Sequence, residues 1–359
     1  MQPLVVLTRS HIVESIHKGF ISVVGTKGEV VYSSDKNDIK VYMRSSAKPI
    51  QAVAFVSSGA MEAFNITPRE LAITCSSHSG EAFHRKAVNS ILKKIGLNEK
   101  NLQCGVANPY NANMLSNLIK KGGRPSPLYN CCSGKHAAML ALCRHFGFSI
   151  EDYTELEHPV QQMIITTIGQ LLNISQENIT IGVDGCGVPT IALPISQVAQ
   201  LYALLAAGKN SDSKYRDALE KILQAMKANP QMINGDKEFC SELIACSNGR
   251  ALGKVGAEGI YCIAVPEKQL GICIKISDGN ERAVYPVAMH LLSQLGILTN
   301  ESMKMLDKWV EPPLKNHKGK LIGHTIPVFD INNSKAGTNI QIGEILDLRE
   351  DELCSHYQQ

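Results

Sequence analysis

Short runs rich in β-branched residues occur at both ends of the chain, and apolar helical patterns fill its middle. Residues 3–33 contain the runs PLVVLTR, ESIHKGFISVVG and EVVYSS, which are broken by Gly25 and Gly28. The later runs are GIYCIAVPE, QLGICIKISDG and GHTIPVF. Such runs predict strands joined by hairpins. Because strands and helices do not alternate along the chain, a doubly wound parallel sheet is disfavoured.

The middle of the chain predicts mainly helices. Thr67-Pro68-Arg69-Glu70 is a capping box with proline at the first helical position, which is typical of a helix start. One stretch differs, since NITIGVDGCGVPT is a β-rich run that ends in a tight loop at 184–187. We therefore expect an α+β fold in a single unit over 1–359. Its antiparallel sheet is built from both chain ends, approximately 1–43 and 250–359, with a helical layer inserted at approximately 44–249.

The charge restricts the classes of binding partner, and the cysteine content indicates the cellular compartment. A net charge of +3 without a long basic run argues against nucleic acid or an anionic membrane as the main partner. No apolar stretch reaches membrane-spanning length, and the N-terminal residues lack the features of a secretory signal. The 11 cysteines are irregularly spaced, which favours a reducing compartment, the cytoplasm, with most thiols buried.

The stretch RSSAKPIQA pairs Ser45 with Lys48 just before an apolar helical run. A spacing of three residues brings both side chains to one helical face, as a serine nucleophile and its lysine base require. The lysine must lose its charge to accept the hydroxyl proton. The alternative is a serine that caps the helix, followed by a solvated lysine. Pro49 also disfavours helical geometry at Lys48, unless Ser45 lies at the very start of the helix.

The stretch CSSHSGE, residues 75–81, precedes a second helical pattern. A loop that opens a helix has free N–H groups, which can stabilise a developing negative charge. Ser77 or Ser79 is therefore a candidate to act beside Ser45. The alternative is a polar turn between two helices.

Two cysteine-containing stretches, CCSGKH and DGCG, indicate a candidate metal site. Cys132 and His136 lie four residues apart on one helical face, and together with Cys186 they can form an open zinc site. The alternative for each cysteine is a buried thiol.

Asp184 and Lys254 both lie between glycines. Asp184 follows a predicted strand and suits recognition of a substrate amine, with an ordinary turn aspartate as the alternative. Lys254 lies in GKVGAEG, where glycines allow close backbone approach, with an exposed lysine at a strand end as the alternative.

Taken in order, RSSAKPIQA, CSSHSGE, NCCSGKHAAML, GVDGCGVPT and GKVGAEG resemble the asparaginase II family, the rhizobial-type or class 3 L-asparaginases. The five stretches span residues 44–258. The resemblance implies a fold similar to serine β-lactamases and glutaminases, a homodimer, and hydrolysis of the side-chain amide of L-asparagine to L-aspartate and ammonia.

The resemblance also assigns roles to residues of this chain. It implies two Ser-Lys tandems, Ser45 with Lys48 and Ser77 with Lys254. The implied zinc ligands are Cys132, Lys135 and Cys186, so the family pattern takes Lys135 where the spacing alone favours His136. The implied substrate-binding residues are Arg44, His136 and Asp184. Cys131 departs from the pattern, because an asparagine is expected there.

An amide is a poor electrophile, so hydrolysis needs a base, an acid for the departing ammonia and donors for the oxyanion. We interpret Ser45 as the nucleophile and Lys48 as its base, with Ser77 and Lys254 relaying the proton, although the two serines can exchange roles. Zinc would position the substrate. Three alternatives stay open: a Ser-Lys amidohydrolase of glutamine or a β-lactam, a non-catalytic zinc-containing metabolite-binding protein, and a zinc hydrolase without covalent catalysis.

Overall fold

The computed structural model describes residues 1–110 and 112–332. The strands are β1 (Gln2–Arg9), β2 (Ile12–Val24), β3 (Val30–Ser33), β4 (Lys40–Tyr42), β5 (Thr180–Val183), β6 (Pro189–Pro194), β7 (Leu252–Gly256), β8 (Ile260–Val265), β9 (Leu270–Ile276), β10 (Pro313–Lys315) and β11 (Leu321–Pro327).

The α-helices are α1 (Lys48–Ser57), α2 (Ala60–Ala63), α3 (Pro68–Thr74), α4 (Ala82–Lys94), α5 (Ala112–Lys120), α6 (Ser133–Phe146), α7 (Pro159–Leu172), α8 (Ile195–Ala207), α9 (Arg216–Ala228), α10 (Phe239–Cys246), α11 (Glu281–Gln294), α12 (Asn300–Met305) and α13 (Asp307–Val310). Short 3₁₀ helices are Arg44–Ala47, Glu99–Asn101, Pro127–Tyr129, Gln176–Asn178, Gly208–Asn210, Pro230–Met232 and Pro266–Lys268.

The larger sheet combines strands from both ends of the chain. Over the described residues it has eight antiparallel strands. Seven follow the order β10-β11-β1-β2-β9-β8-β7, and the eighth, β3, pairs with the C-terminal end of β2. The N-terminal strands pair directly with late ones, since β1 pairs with β11 and β2 with β9. The α+β class and its antiparallel sheet are therefore confirmed. The part of the expected sheet region at 333–359 lies outside the described residues.

A smaller sheet combines β4, which comes from the segment 1–43 expected in the main sheet, with two strands of the mainly helical region. Its antiparallel order is β4-β6-β5, so the short strand β4 joins the β-rich run that the sequence predicts near residue 180. The tight loop at 184–187 connects β5 to β6. The region 44–249 is thus not entirely helical.

Local rules explain the helix boundaries around the site. The predicted capping box forms at α3, where Thr67 N donates to Glu70 Oε2 at 2.7 Å and Glu70 N donates to Thr67 Oγ1 at 3.3 Å. Helix α6 ends at Gly147, whose φ of 71° lies in the left-handed region. Gly134 lets α6 pack closely against α3, because a Cβ there would overlap the carbonyl oxygen of Ile73.

Strand β7 is an edge of the larger sheet, and its free side faces the 3₁₀ helix Arg44–Ala47. A Cβ at Gly256 would lie 2.8 Å from Met43 O and 3.2 Å from Ser46 N, so this contact requires glycine. The sheet edge and the start of α1 therefore meet.

In the part of the chain that the structure describes, no helix is both long and apolar enough to cross a bilayer.

Candidate active site

Two buried lysines contact the same serine hydroxyl. Lys48 Nζ lies 3.0 Å from Ser77 Oγ, and Lys254 Nζ lies 2.8 Å from it. The relative exposures of Lys48 and Lys254 are 1% and 0%. Lysines are almost never fully buried without partners, so this arrangement indicates a role for both amines.

The loop that carries Ser77 is fixed by main-chain bonds to the segment before α10. Ser77 N donates to Ile233 O at 2.9 Å, and Ser79 N donates to Asn234 O at 2.8 Å. Asn234 Nδ2 also donates to Ser77 O at 3.0 Å. These bonds hold the Ser77 hydroxyl in position. The hydroxyl of Ser79 instead donates to Glu81 Oε1 at 2.8 Å.

His78 links the same loop to helix α6. Gly80 N donates to His78 Nδ1 at 3.1 Å, so Nε2 carries the ring proton and donates to Ser133 Oγ at 2.8 Å. Burial, and then the neighbouring His84, lower the pKa of His78 well below its usual value. His78 is therefore a neutral structural link.

Ser45 lies in the 3₁₀ helix that leads into α1, and it caps neither helix. Met43 is the N-cap of the 3₁₀ helix and Ala47 that of α1. Lys48 is helical, with φ −58° and ψ −43°, despite the proline that follows it. The expectation that Ser45 and Lys48 bond each other is not met, because the side-chain partners of Lys48 are Ser77 Oγ and Cys131 O. The half-buried Ser45 hydroxyl lines a cavity.

Lys254 lies on edge strand β7, and its side chain is fully buried. Burial lowers the pKa of its amine to about 8, and the nearby charge of Lys48 adds to this shift. The alternative interpretation of Lys254 as an exposed strand-end lysine is therefore wrong. Near pH 8 about half of the Lys254 amines are neutral and able to accept a proton.

A cavity of about 180 Å³ opens next to these groups. Its lining residues are Ser45, Ser77, His78, Ser79, Tyr110, Cys131, Asn234, Glu238, Val255, Gly256, Ala257, Glu281 and Tyr285. A cleft of about 640 Å³ shares Ser79, Tyr110 and Glu238 with it. Both serines of the predicted tandems therefore line one cavity that adjoins a wider groove.

Three cysteines lie together beside the cavity. Cys131 Sγ is 3.9 Å from Cys132 Sγ, and Cys186 is also close to Cys132. Interaction with Cys131, and then with Cys186, lowers the pKa of Cys132 well below that of an ordinary thiol. The same interactions raise the pKa values of Cys131 and Cys186. The cluster thus favours one thiolate, on Cys132.

Charged groups adjoin these sulfurs. Lys135 Nζ lies 3.6 Å from Asp184 Oδ2, and Arg44 Nε donates to Asp184 Oδ1 at 2.9 Å. Burial would lower the pKa of Lys135, but Cys132, Cys186 and Asp184 outweigh burial and raise it above the usual value. Burial would likewise raise the pKa of Asp184, but Lys135 and Arg44 hold it below its usual value.

His136 is fully buried, and neither ring nitrogen hydrogen-bonds a thiol of the described residues. Its Nδ1 bonds Tyr153 OH at 2.8 Å, and its Nε2 has no hydrogen-bond partner among the described residues. Burial, and then Lys135, lower the pKa of His136 to about 3. Over the ranges that the structure covers, no three His, Cys, Asp or Glu side chains group to hold a metal ion. The first interpretation, Cys132 and Cys186 with His136, therefore gains no support from the described residues.

The donor set that the resemblance implies does come together. Lys135 Nζ and Cys186 Sγ lie 3.6 Å and 3.9 Å from the same oxygen, Asp184 Oδ2. Cys132 lies close enough to both residues to shift their pKa values. The two cysteine sulfurs are ligands that zinc prefers, and a neutral lysine amine supplies a nitrogen donor. The amine must lose its proton to bind a metal, so binding would release a proton from Lys135. The chemistry of these three residues therefore fits zinc.

Comparison with known protein families identifies the family of the chain. A family model described as L-asparaginase II matches residues 5–327. The chain belongs to the L-asparaginase II family. A search of curated proteins found no match. Membership confirms the resemblance that the five motifs carry, and it indicates a hydrolase that acts on amides.

Beside the motif residues of this L-asparaginase II family member, further side chains line the cavity. Glu238 and Glu281 supply two carboxylates to the cavity wall, and Tyr110 and Tyr285 supply phenol groups. Both glutamates lie at helix starts, where acidic residues are common for electrostatic reasons. No sequence pattern therefore distinguishes them from ordinary helix-start residues.

Proposed function

We propose that this chain is an L-asparaginase that hydrolyses the side-chain amide of L-asparagine to L-aspartate and ammonia through a serine acyl-enzyme. The observation that carries this proposal is the Ser77 hydroxyl, which contacts two buried lysines beside a cavity that Ser45 also lines. Family membership supports an amide as the substrate.

In the proposed first step, Ser45 Oγ attacks the carboxamide carbon. Its hydroxyl lines the cavity and makes no hydrogen bond to another described residue, so it is free to meet a substrate. Because Ser77 Oγ lies within 3.0 Å of both amines, a charged Lys48 can first pass its proton through this hydroxyl to the neutral Lys254. The neutral Lys48 amine then accepts the Ser45 proton.

In the second step, the C–N bond breaks and the relay returns the proton to the departing nitrogen, which leaves as ammonia. A water molecule then hydrolyses the ester, which restores Ser45 and releases L-aspartate. The oxyanion needs N–H donors, and Gly256 on edge strand β7 and the next residue, Ala257, are the candidates in the cavity wall. The N–H of Val255 already donates to Cys240 Sγ at 3.3 Å.

We propose Cys132, Lys135 and Cys186 as the residues that hold a zinc ion. Bound zinc would act as a Lewis acid that positions the substrate. Arg44, His136 and Asp184 stay predicted substrate-binding residues. Of these, Arg44 and Asp184 adjoin the ligand set, whereas His136 is sealed from the cavity. The homodimer and the cytoplasmic location stay predictions from the sequence.

Purified protein is expected to contain about one zinc ion per chain, and Cys132→Ser and Cys186→Ser are each expected to lose most of it, because each removes a ligand. Elemental analysis measures the zinc, and the absorption spectrum of the cobalt-substituted protein reports thiolate ligation. Chelation is expected to raise KM for asparagine about tenfold.

Cys246→Ser is the matched control, because this half-buried thiol lies on α10, outside the cluster. Full zinc content in both cluster variants would rule out the ligand assignment. Zinc removal with an unchanged KM would rule out the positioning role.

The direct test of the proposed function is ammonia release from L-asparagine and L-glutamine, assayed side by side. We expect the higher kcat/KM on asparagine. Because glutamine is longer by one methylene, the ratio of the two kcat/KM values should be only about 10–200. Hydrolysis of glutamine or a β-lactam in preference to asparagine would favour another Ser-Lys amidohydrolase. Inactivity on all three would favour a non-catalytic metabolite-binding protein.

A further inference from the structure

The charged side chains that line the cavity are both acidic. Of its lining residues only Glu238 and Glu281 carry a formal charge at neutral pH. Neither forms an ion pair with another described residue. Glu238 is half-buried and Glu281 is exposed at the cavity wall. Two wall carboxylates without an ion-pair partner among the described residues favour a ligand with a positive group beside them.

The surroundings strengthen this negative field. Burial raises the pKa of Glu238, and the nearby carboxylates Glu81 and Glu242 raise it further. The adjoining cleft is lined by Glu81, Asp236 and Glu238, against the single cation Lys237. A cationic group bound here would relieve the repulsion among these carboxylates.

The other acidic candidate near the site already has cationic partners. Asp184 accepts from Arg44 at 2.9 Å and lies 3.6 Å from Lys135. It is also absent from the cavity lining, whereas Glu238 and Glu281 share that lining with both serines. The unpaired carboxylates are therefore better suited to an incoming cation.

The size of the cavity restricts the ligand. Its volume of about 180 Å³ is below the ~300–1,000 Å³ of pockets for drug-sized molecules. The space therefore suits one small metabolite, and the amide that the serine attacks must lie within a few ångströms of the positive group.

We propose that Glu238 and Glu281 bind the α-ammonium group of the substrate and so restrict this enzyme to amides of free α-amino acids. This inference rests on the proposed function, because it assigns the α-ammonium group of a substrate whose amide lies at Ser45 and Ser77. Glu238 lies at the N-cap of α10 and Glu281 is the first residue of α11, so the two carboxylates approach the ligand from different elements. Amides without the α-amino group, or with an acylated one, are excluded.

The test compares L-asparagine with succinamate, the same amide without the α-amino group. We expect the wild type to favour asparagine in kcat/KM. Glu238→Gln and Glu281→Gln are each expected to lower the ratio of the two kcat/KM values about tenfold or more, as loss of a charge-assisted hydrogen bond predicts. The loss should appear as a higher KM for asparagine, while kcat/KM for succinamate stays within about twofold.

Glu301→Gln is the matched control, because this exposed carboxylate also lies at a helix start, in the first turn of α12, but outside the cavity lining. Both substrates are assayed on the same preparation, so a loss of folded protein cancels in the ratio. An unchanged ratio in both single variants and in the double variant, with asparagine still hydrolysed, overturns this inference alone. Absence of ammonia release from asparagine by the wild type overturns the proposed function, and this inference with it.

Discussion

Replacing Ser45 with alanine is expected to lower kcat for ammonia release from L-asparagine by about 10⁴-fold or more, because the proposed nucleophile is lost. Ser77→Ala is expected to lower kcat by about 10²–10⁴-fold, the range for loss of acid–base catalysis. The difference follows from the geometry. The Ser45 hydroxyl faces the cavity, whereas Ser77 Oγ lies 3.0 Å from Lys48 Nζ and 2.8 Å from Lys254 Nζ.

The measurement is single-turnover kinetics, followed by mass spectrometry of the quenched protein. An acyl adduct is expected on the peptide that contains Ser45, in the wild type and at a lower rate in Ser77→Ala. Ser76→Ala is the matched control, since Ser76 is a buried neighbour of Ser77 and its hydroxyl has no partner among the described residues. It is expected to keep full activity.

An adduct on Ser77, with Ser45→Ala less impaired than Ser77→Ala, would exchange the roles of the two serines. Nearly full activity in both variants, with loss on chelation, would favour a zinc hydrolase without covalent catalysis. Each outcome thus selects one of the mechanisms that the sequence leaves open.

The elements that local rules govern could be predicted from the sequence. The capping box at Thr67 forms as expected, and His158-Pro159 starts α7 with the histidine ring as N-cap. The β-branched runs at both chain ends form strands that pair with each other. In each case the information lies within a few neighbouring residues or in a simple period of two.

The elements that depend on distant partners could not be predicted. Strand β4 has only three residues and forms because β6 pairs with it. Strand β7 contains Gly253 and Gly256, which weaken any strand pattern in the sequence. Gly256 is required because the strand contacts the Arg44–Ala47 helix closely at this residue. Tertiary packing therefore decides both elements.

The candidate site shows the same division. The motifs identify Lys48 and Ser77 as functional candidates, but spacing pairs Lys48 with Ser45, and the structure pairs it with Ser77. The loop 75–81 reaches Lys48 because Ile233 and Asn234 hold its backbone from a segment that is remote in sequence. Hydrogen-bond partners across such distances are a property of the fold, which residue spacing does not encode.

The pH dependence of kcat/KM is the second large effect that the structure predicts. Burial, together with the charge of Lys48, lowers the pKa of Lys254 to about 8. The proposed relay needs a neutral Lys254, since a charged amine cannot accept a proton. Below pH 8 the neutral fraction falls about tenfold per pH unit, so kcat/KM should rise with pH to a plateau above about pH 8.

Lys254→Met is expected to lower kcat/KM by about 10²–10⁴-fold and to remove this rising limb, because the terminal acceptor of the relay is lost. Methionine retains the length and apolar character of the buried stem. The measurement is kcat/KM for asparagine between about pH 5.5 and 9.5, with circular dichroism at each pH to verify folding.

Lys275→Met is the matched control, because burial also lowers the pKa of this lysine, which lies on β9 and outside the cavity lining. The control is expected to keep the rising limb near pH 8.

If the rising limb persisted in Lys254→Met with only its amplitude reduced, another group would control the ionisation. Lys254 would then act through packing against Ser77 and not as a proton acceptor. If the limb disappeared together with activity, the buried amine would be the group whose deprotonation sets the rate. This result is the one expected when a single lysine combines complete burial, a like charge nearby and a hydroxyl at 2.8 Å.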